Sequence, residues 1–147
     1  MKTDEKFNKP YNPNNTETSI YKKWEDSGYF NPDNLPVSKS SDLKPKSFSI
    51  IMPPPNANGD LHVGHSLFIT LEDVMIRYKR MRGYKTLWIP GADHAGFETQ
   101  VVYEKKLEKE GRSRFGMDRD LLYKEIYDFT INNKEKMELQ VRKMGAS

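Results

Sequence analysis

Apolar residues recur along the chain at spacings that mark out strands and helices. Phe48-Ser-Ile-Ile-Met52 and Lys85-Thr-Leu-Trp-Ile89 are β-prone runs halted by proline, which donates no backbone hydrogen bond and cannot continue a ladder. The first is apolar enough to predict a strand buried on both faces, as in a parallel sheet. Between them Val63, Leu67, Leu71, Val74, Met75, Tyr78 and Met81 fall at three- and four-residue intervals, with Glu72, Asp73, Arg77, Lys79 and Arg80 mostly elsewhere. That pattern predicts a helix from about Gly64 to Arg82, stopped by Gly83. Strand, helix and strand in this order predict a right-handed crossover between parallel strands. Met52-Pro53 and Ile89-Pro90 then finish at one edge of the sheet, where open α/β sheets take their ligands.

The flanking segments are helical or polar. Thr16 as N-cap, Ile20 and Trp24 on one face and Gly28 as the stop predict a short helix over Glu17 to Ser27. A further helix is expected from about Phe97 to Glu110, with Val101, Val102 and Leu107 apolar and Gly111 as its end. A long one follows from about Arg119 to Met144, with Leu122, Ile126, Phe129, Met137, Val141 and Met144 inward. Met1 to Asn15 and Asn31 to Lys46 are rich in Asn, Lys, Pro and Ser, and are expected to wrap or fray and to link across the surface, respectively. No internal repeat occurs.

Composition narrows the classes. A chain of 147 residues suits one domain, but 35% hydrophobic residues and a mean hydropathy of -0.86 are thin for a self-sufficient core. The net charge of +3 comes from 24 Lys and Arg against 21 Asp and Glu, too even a balance to argue for nucleic acid by itself. With no cysteine there is no disulfide framework, thiolate metal site or cysteine nucleophile. Nothing reads as a signal peptide or transmembrane run, so a cytoplasmic location is expected.

The chemistry concentrates in Met52 to Ser66, Met-Pro-Pro-Pro-Asn-Ala-Asn-Gly-Asp-Leu-His-Val-Gly-His-Ser. It reads as a strand end, a tight turn using the positive-φ tolerance of Asn-Gly, and a helix start. His62 and His65 then lie on one side of a first helical turn, over unpaired N–H groups and the positive end of the helix dipole, where phosphate is attracted. Trp88 is expected in the core.

Pro53 to Asn56 with Leu61-His62-Val63-Gly64-His65 resembles the H-I-G-H signature of class I aminoacyl-tRNA synthetases. Joined to Pro90-Gly-Ala-Asp-His-Ala-Gly96, it is most similar to the valine-specific members, and the likeness runs from about Thr16 to Ser147. The resemblance implies an α/β fold: the first half of a Rossmann-like parallel-sheet nucleotide-binding domain over residues 47–147, cut before an editing insertion, behind an N-terminal helical extension over residues 1–46. It implies ATP-dependent activation of valine to valyl-adenylate and transfer to tRNA(Val), with ATP, valine and tRNA as partners, Mg2+ as the counter-ion of ATP, no protein-bound metal and no membrane. Family members are usually monomeric. By the same likeness His62 and His65 are catalytic, and Asn56, Gly59, His62, Gly64 and His65 bind ATP. Pro53, Pro54, Asn56 and Asp93 line the valine site, Asp93 holding the α-ammonium.

Other readings stand beside this one. His62, His65, His94 and Asp93 suit a zinc hydrolase, although the prolines and Gly64 have no purpose there. Gly59 to Ser66 matches a phosphate loop except that His65 replaces its lysine. Asp93 also reads as a turn residue or helix cap, and Arg112 to Arg119 with the bases at 77, 79, 80 and 82 as solvated charge rather than tRNA contacts. Ala57-Asn58, Ala92 and Phe97-Glu98 depart from the family's usual residues. No K-M-S-K-S lysine loop, editing domain or anticodon-binding domain occurs in this sequence, so a non-catalytic nucleotide- or tRNA-binding fragment is the alternative expectation, and activity is expected to be weak or nil.

Overall fold

The computed structural model describes residues 9–36 and 45–147. Residues 1–8 and half of the Asn31 to Lys46 linker, for which a fraying end and a surface path were expected, lie outside those residues. The elements are α1 (Glu17–Ser27), β1 (Ser47–Ile51), α2 (Val63–Met81), β2 (Lys85–Ile89), α3 (Gly96–Lys109) and α4 (Arg119–Lys143), with single 3-10 turns at Pro13–Asn15, Pro32–Asn34 and Arg114–Gly116. Each predicted element is present within a residue or so of its expected ends. Glycines at positive φ close α1, α2 and α3 in turn, at Gly28, Gly83 and Gly111. Thr16 stands at the N-cap of α1, but its hydroxyl donates back to Asn12 O and caps nothing.

β1 and β2 pair in parallel, Ser47 opposite Lys85 through to Ile51 opposite Ile89, with α2 as the crossover. The main core, Met52, Ile69 and Ala146, gathers Leu61, Phe68, Trp88 and Val141 around it, so the end of α4 packs under the strand exits. Trp88 joins that core by its ring and donates its indole N–H to Glu72 at 2.9 Å. A second centre forms where Tyr103 of α3 meets Phe129 of α4, beside buried Leu107. The Tyr103 hydroxyl donates to Glu125 at 2.6 Å, and burial together with that bond pushes its pKa up to about 12.

Three expectations of burial are corrected. β1 is not buried on both faces: Ile51 is 75% exposed, because among the described residues helices cover only part of the sheet. α2 is turned roughly half a revolution from its predicted orientation. Leu67, Leu71, Val74, Met75, Tyr78 and Met81 face outward, while Ile69 and Ile76, seven residues apart, are the buried apolar pair. The charged residues assigned to solvent instead face inward. Glu72 binds Trp88, Arg80 donates to buried Thr86, and Asp73 and Arg77 bind the end of the chain at Gly145 and Ser147. Met144, expected inward on α4, is exposed as well. The cause lies in the sequence: α2 carries an apolar stripe on each side, and period alone does not say which one meets the sheet.

Candidate functional site

The site forms where both strands leave the sheet. Met52 N–H donates the last ladder bond, to Ile89 O at 3.0 Å, and the prolines then offer no donors. Their carbonyls still accept. Asp93 N–H donates to Pro55 O at 2.8 Å and Ala57 N–H to Asp93 O at 2.7 Å, an isolated parallel bridge that joins Asn56 to Asp93 beyond the strands. This bridge brings the two motifs, far apart in sequence, to one rim.

From Asn56 the chain turns into α2. The turn uses no positive φ at Asn58 or Gly59, contrary to the Asn-Gly expectation. His62 is the N-cap residue of α2, in extended conformation. Its Nδ1 accepts from Gly64 N–H at 3.1 Å, and His65 Nδ1 accepts from His62 N–H at 3.2 Å. The rings stack, 3.8 Å between centroids at 23°. Two of the helix-start N–H groups assigned to phosphate are therefore taken by the imidazoles themselves. A neutral imidazole accepts at one nitrogen and donates at the other, so each ring carries its N–H at Nε2. Burial, and then the neighbouring His62, hold the His65 pKa below its ordinary value, which favours this neutral form.

Pro53, Pro54, Pro55, Asn56, Asn58, Asp60, His62, His65 and Phe68 line a cavity of about 420 Å³. Five residues marked out from sequence, Pro53, Pro54, Asn56, His62 and His65, thus share one wall. Gly59, Gly64 and Asp93 do not line it. At Gly64 a Cβ would meet His62 Cε1 at 3.0 Å and Nδ1 at 3.1 Å, so the space that the glycine leaves is used by the folded-back His62 ring. Around Gly59 there is only open space. Asp93 reaches the rim through its backbone bridge, and its Oδ1 accepts from Ala95 N–H at 2.9 Å, the turn-residue role. Pro55, Asn58, Asp60 and Phe68 were not marked out: Phe68 lies one turn beyond His65 and sets its edge against that ring, a contact that i, i+3 spacing allows.

The basic residues weighed as tRNA contacts are largely engaged within the chain. Arg112 donates to Glu125 at 2.8 Å and Arg114 to Glu104 at 2.8 Å. Arg77 lies over the Trp24 ring, Lys79 over Tyr84 and Arg82 over Tyr78. Among the described residues no group of three His, Asp or Glu side chains could hold a metal ion, and His94 sets its ring against Tyr127, so the four-residue zinc cluster does not assemble. Among the same residues no helix is long and apolar enough to cross a membrane.

Comparison with known proteins bears on this geometry. Residues 19–147 match the family described as tRNA synthetases class I (I, L, M and V). A valine–tRNA ligase of Bdellovibrio bacteriovorus is 42% identical over 147 residues, all of this chain and 16% of the relative. The chloroplastic/mitochondrial valine–tRNA ligase 2 of Arabidopsis thaliana is 45% identical over 132 residues, 90% of this chain and 13% of its own. The chain therefore spans about a sixth of the length of the curated relatives it matches. Among solved structures, the ternary complex of Agrobacterium radiobacter K84 agnB2 LeuRS with tRNA and LeuAMS aligns with a TM-score of 0.68 at 22% identity, over 93% of this chain and 15% of that one, a likeness of fold. A parallel strand–helix–strand unit with the histidine pair at its rim, matched by the family over most of its length, places this chain in the class I tRNA synthetases, with the catalytic-domain fold of that family.

Proposed function

We propose that this chain supplies the ATP- and valine-binding half of a valine–tRNA ligase, residues 47–147 forming the first half of the catalytic domain and residues 1–46 an extension ahead of it. One observation carries the reading: two stacked imidazoles, each fixed at Nδ1 by a backbone N–H, present paired Nε2–H donors beside a wall of prolines. The names of the relatives supply valine; the site chemistry supplies the reaction class.

Activation is attack by the carboxylate of valine on the α-phosphorus of ATP, forming the carboxylate–phosphorus bond and releasing pyrophosphate. The nucleophile is already ionised and needs no general base. What it needs is alignment and donors aimed at charge growing on the phosphoryl oxygens, and His62 and His65 are those donors. The prolines form a stiff wall for the amino acid, with few degrees of freedom to lose on binding. Asp93, bridged to Asn56, supplies negative charge for the α-ammonium. Magnesium arrives with ATP, and tRNA(Val) is the acceptor in the complete enzyme.

The test is valine-dependent ATP–pyrophosphate exchange, with threonine and isoleucine as alternative amino acids. Replacing both histidines, H62A with H65A, is expected to abolish it, each lost donor costing about 10²–10³ in rate. Exchange that survives in a folded double variant overturns the roles given to the pair. The outward apolar face of α2 and the exposed Ile51 favour a second reading, in which the isolated chain binds but does not turn over until the rest of the catalytic domain covers them. ATP binding without exchange would select it.

A further inference from the structure

The turn that delivers the histidine pair is not held by its own backbone alone. Among the described residues, the backbone bonds between Ala57 and Leu61 are Asn58 N–H to Asn56 O at 2.8 Å, within the turn, and Ala57 N–H to Asp93 O, across the rim. The rest comes from α4. Gln140 Oε1 accepts from Leu61 N–H at 2.9 Å while its Nε2 donates to Asp60 Oδ1 at 3.1 Å. Asn133, itself buried, donates its amide N–H to the carbonyl of Ala57 at 3.4 Å. Asn133 and Gln140 are seven residues apart on α4 and so share a face, with buried Met137 between them.

We infer that Gln140, supported by Asn133, is a positioning residue for the histidine pair. Leu61 immediately precedes His62, the N-cap of α2. The Asp60–Leu61 peptide that Gln140 holds is separated from the Leu61–His62 peptide only by the φ and ψ of Leu61, so it constrains where His62 N–H points, and that N–H is the donor that fixes His65 Nδ1. A single amide meets both ends of its demand, since its oxygen can only accept from Leu61 N–H and its NH₂ can only donate to the Asp60 carboxylate. The inference concerns the proposed catalytic pair, but its test does not need substrate.

Three variants are compared with the wild type: Gln140→Met, of similar length with no hydrogen bonds; Gln140→Glu, which keeps an acceptor for Leu61 N–H but sets a second carboxylate against Asp60; and Lys136→Met, an exposed control on α4. The readouts are ¹⁵N NMR of the histidine rings, which reports whether each Nδ1 is an acceptor, the thermal midpoint, and magnesium–ATP affinity. Q140M is expected to move the ring signals of both His62 and His65 toward tautomer averaging and to weaken ATP binding about five- to tenfold, the scale of one lost hydrogen bond. Q140E is expected to fall between Q140M and wild type, and K136M to match wild type in all three readouts. If Q140M does not fold, Q140E carries the comparison. Ring signals unchanged in a folded Q140M or Q140E, or a lower midpoint with unchanged rings, overturn the inference. Ring signals that move in a chain whose wild type binds no ATP uphold it and overturn the proposed function instead.

Discussion

The two helices that start at the rim begin in opposite ways. α2 opens with His62 and His65, whose ring nitrogens accept the first N–H groups and stack on each other. α3 opens at Ala95, in the left-handed region at φ 50, and no side chain caps it. The Asp93 carboxylate, accepting from Ala95 N–H, and the Thr99 hydroxyl, donating to His94 O at 2.6 Å, brace the approach. One start is locked and carries ring donors; the other is strained and carries a carboxylate. The difference separates the roles proposed for them, phosphoryl oxygens at α2 and an ammonium near α3.

Substitutions at each start sharpen that contrast. Asp93→Asn retains an oxygen for Ala95 N–H but removes the charge. If the carboxylate meets the ammonium of valine, the KM for valine rises about 10- to 100-fold, the scale of a charged hydrogen bond, with the thermal midpoint unchanged. An unchanged KM would leave Asp93 as a turn residue alone. Gly64→Ala should separate stability from function. Alanine favours the helix by about 0.5–1 kcal/mol over glycine, yet its Cβ crowds the His62 ring, so exchange should fall about tenfold while the unfolding midpoint holds or rises. Parallel losses in both would refute a specific effect on the ring.

The locked start is also sensitive to pH. The folded pKa of His65 lies below its ordinary value, so between the two the unfolded chain binds more protons and stability rises with pH. The contribution is fully present above the ordinary value and is lost as pH falls through the folded one. Protonation at Nδ1 removes the acceptor for His62 N–H and sets positive charge against the stacked ring. Urea midpoints should fall between pH ~7 and ~5, more in wild type than in His65→Gln, whereas equal slopes would exclude the device. The smallest effect belongs to α3. Ala95→Gly relieves the positive φ and should stabilise the chain by about 0.5–1 kcal/mol with little change in exchange, as read by chemical denaturation.

Much of the scaffold was legible because its punctuation is local. Proline stops at Pro53 and Pro90 and glycine stops at Gly28, Gly83 and Gly111 act through their own backbone, and the observed element ends follow them. The rim was legible for a related reason: parallel strands joined by a crossover must end on one side, so the exits at Pro53 and Pro90 fall together, and the bridge between Asn56 and Asp93 extends that edge. The facing of α2 was not. Ile69 and Ile76 compete with a longer outer stripe of Leu67, Leu71, Val74 and Tyr78, and the polar contacts that decide between them, Glu72 with Trp88 and Asp73 with Ser147, join residues distant in sequence.

The sequence by itself determined the order and bounds of the strands and helices and the shared rim, because each follows from neighbours within a turn or from the geometry of a short crossover. Tertiary structure alone decided which face of α2 is buried and that Gln140 and Asn133 hold the turn. Those outcomes depend on hydrogen bonds and packing between segments up to 80 residues apart, where no local propensity reaches.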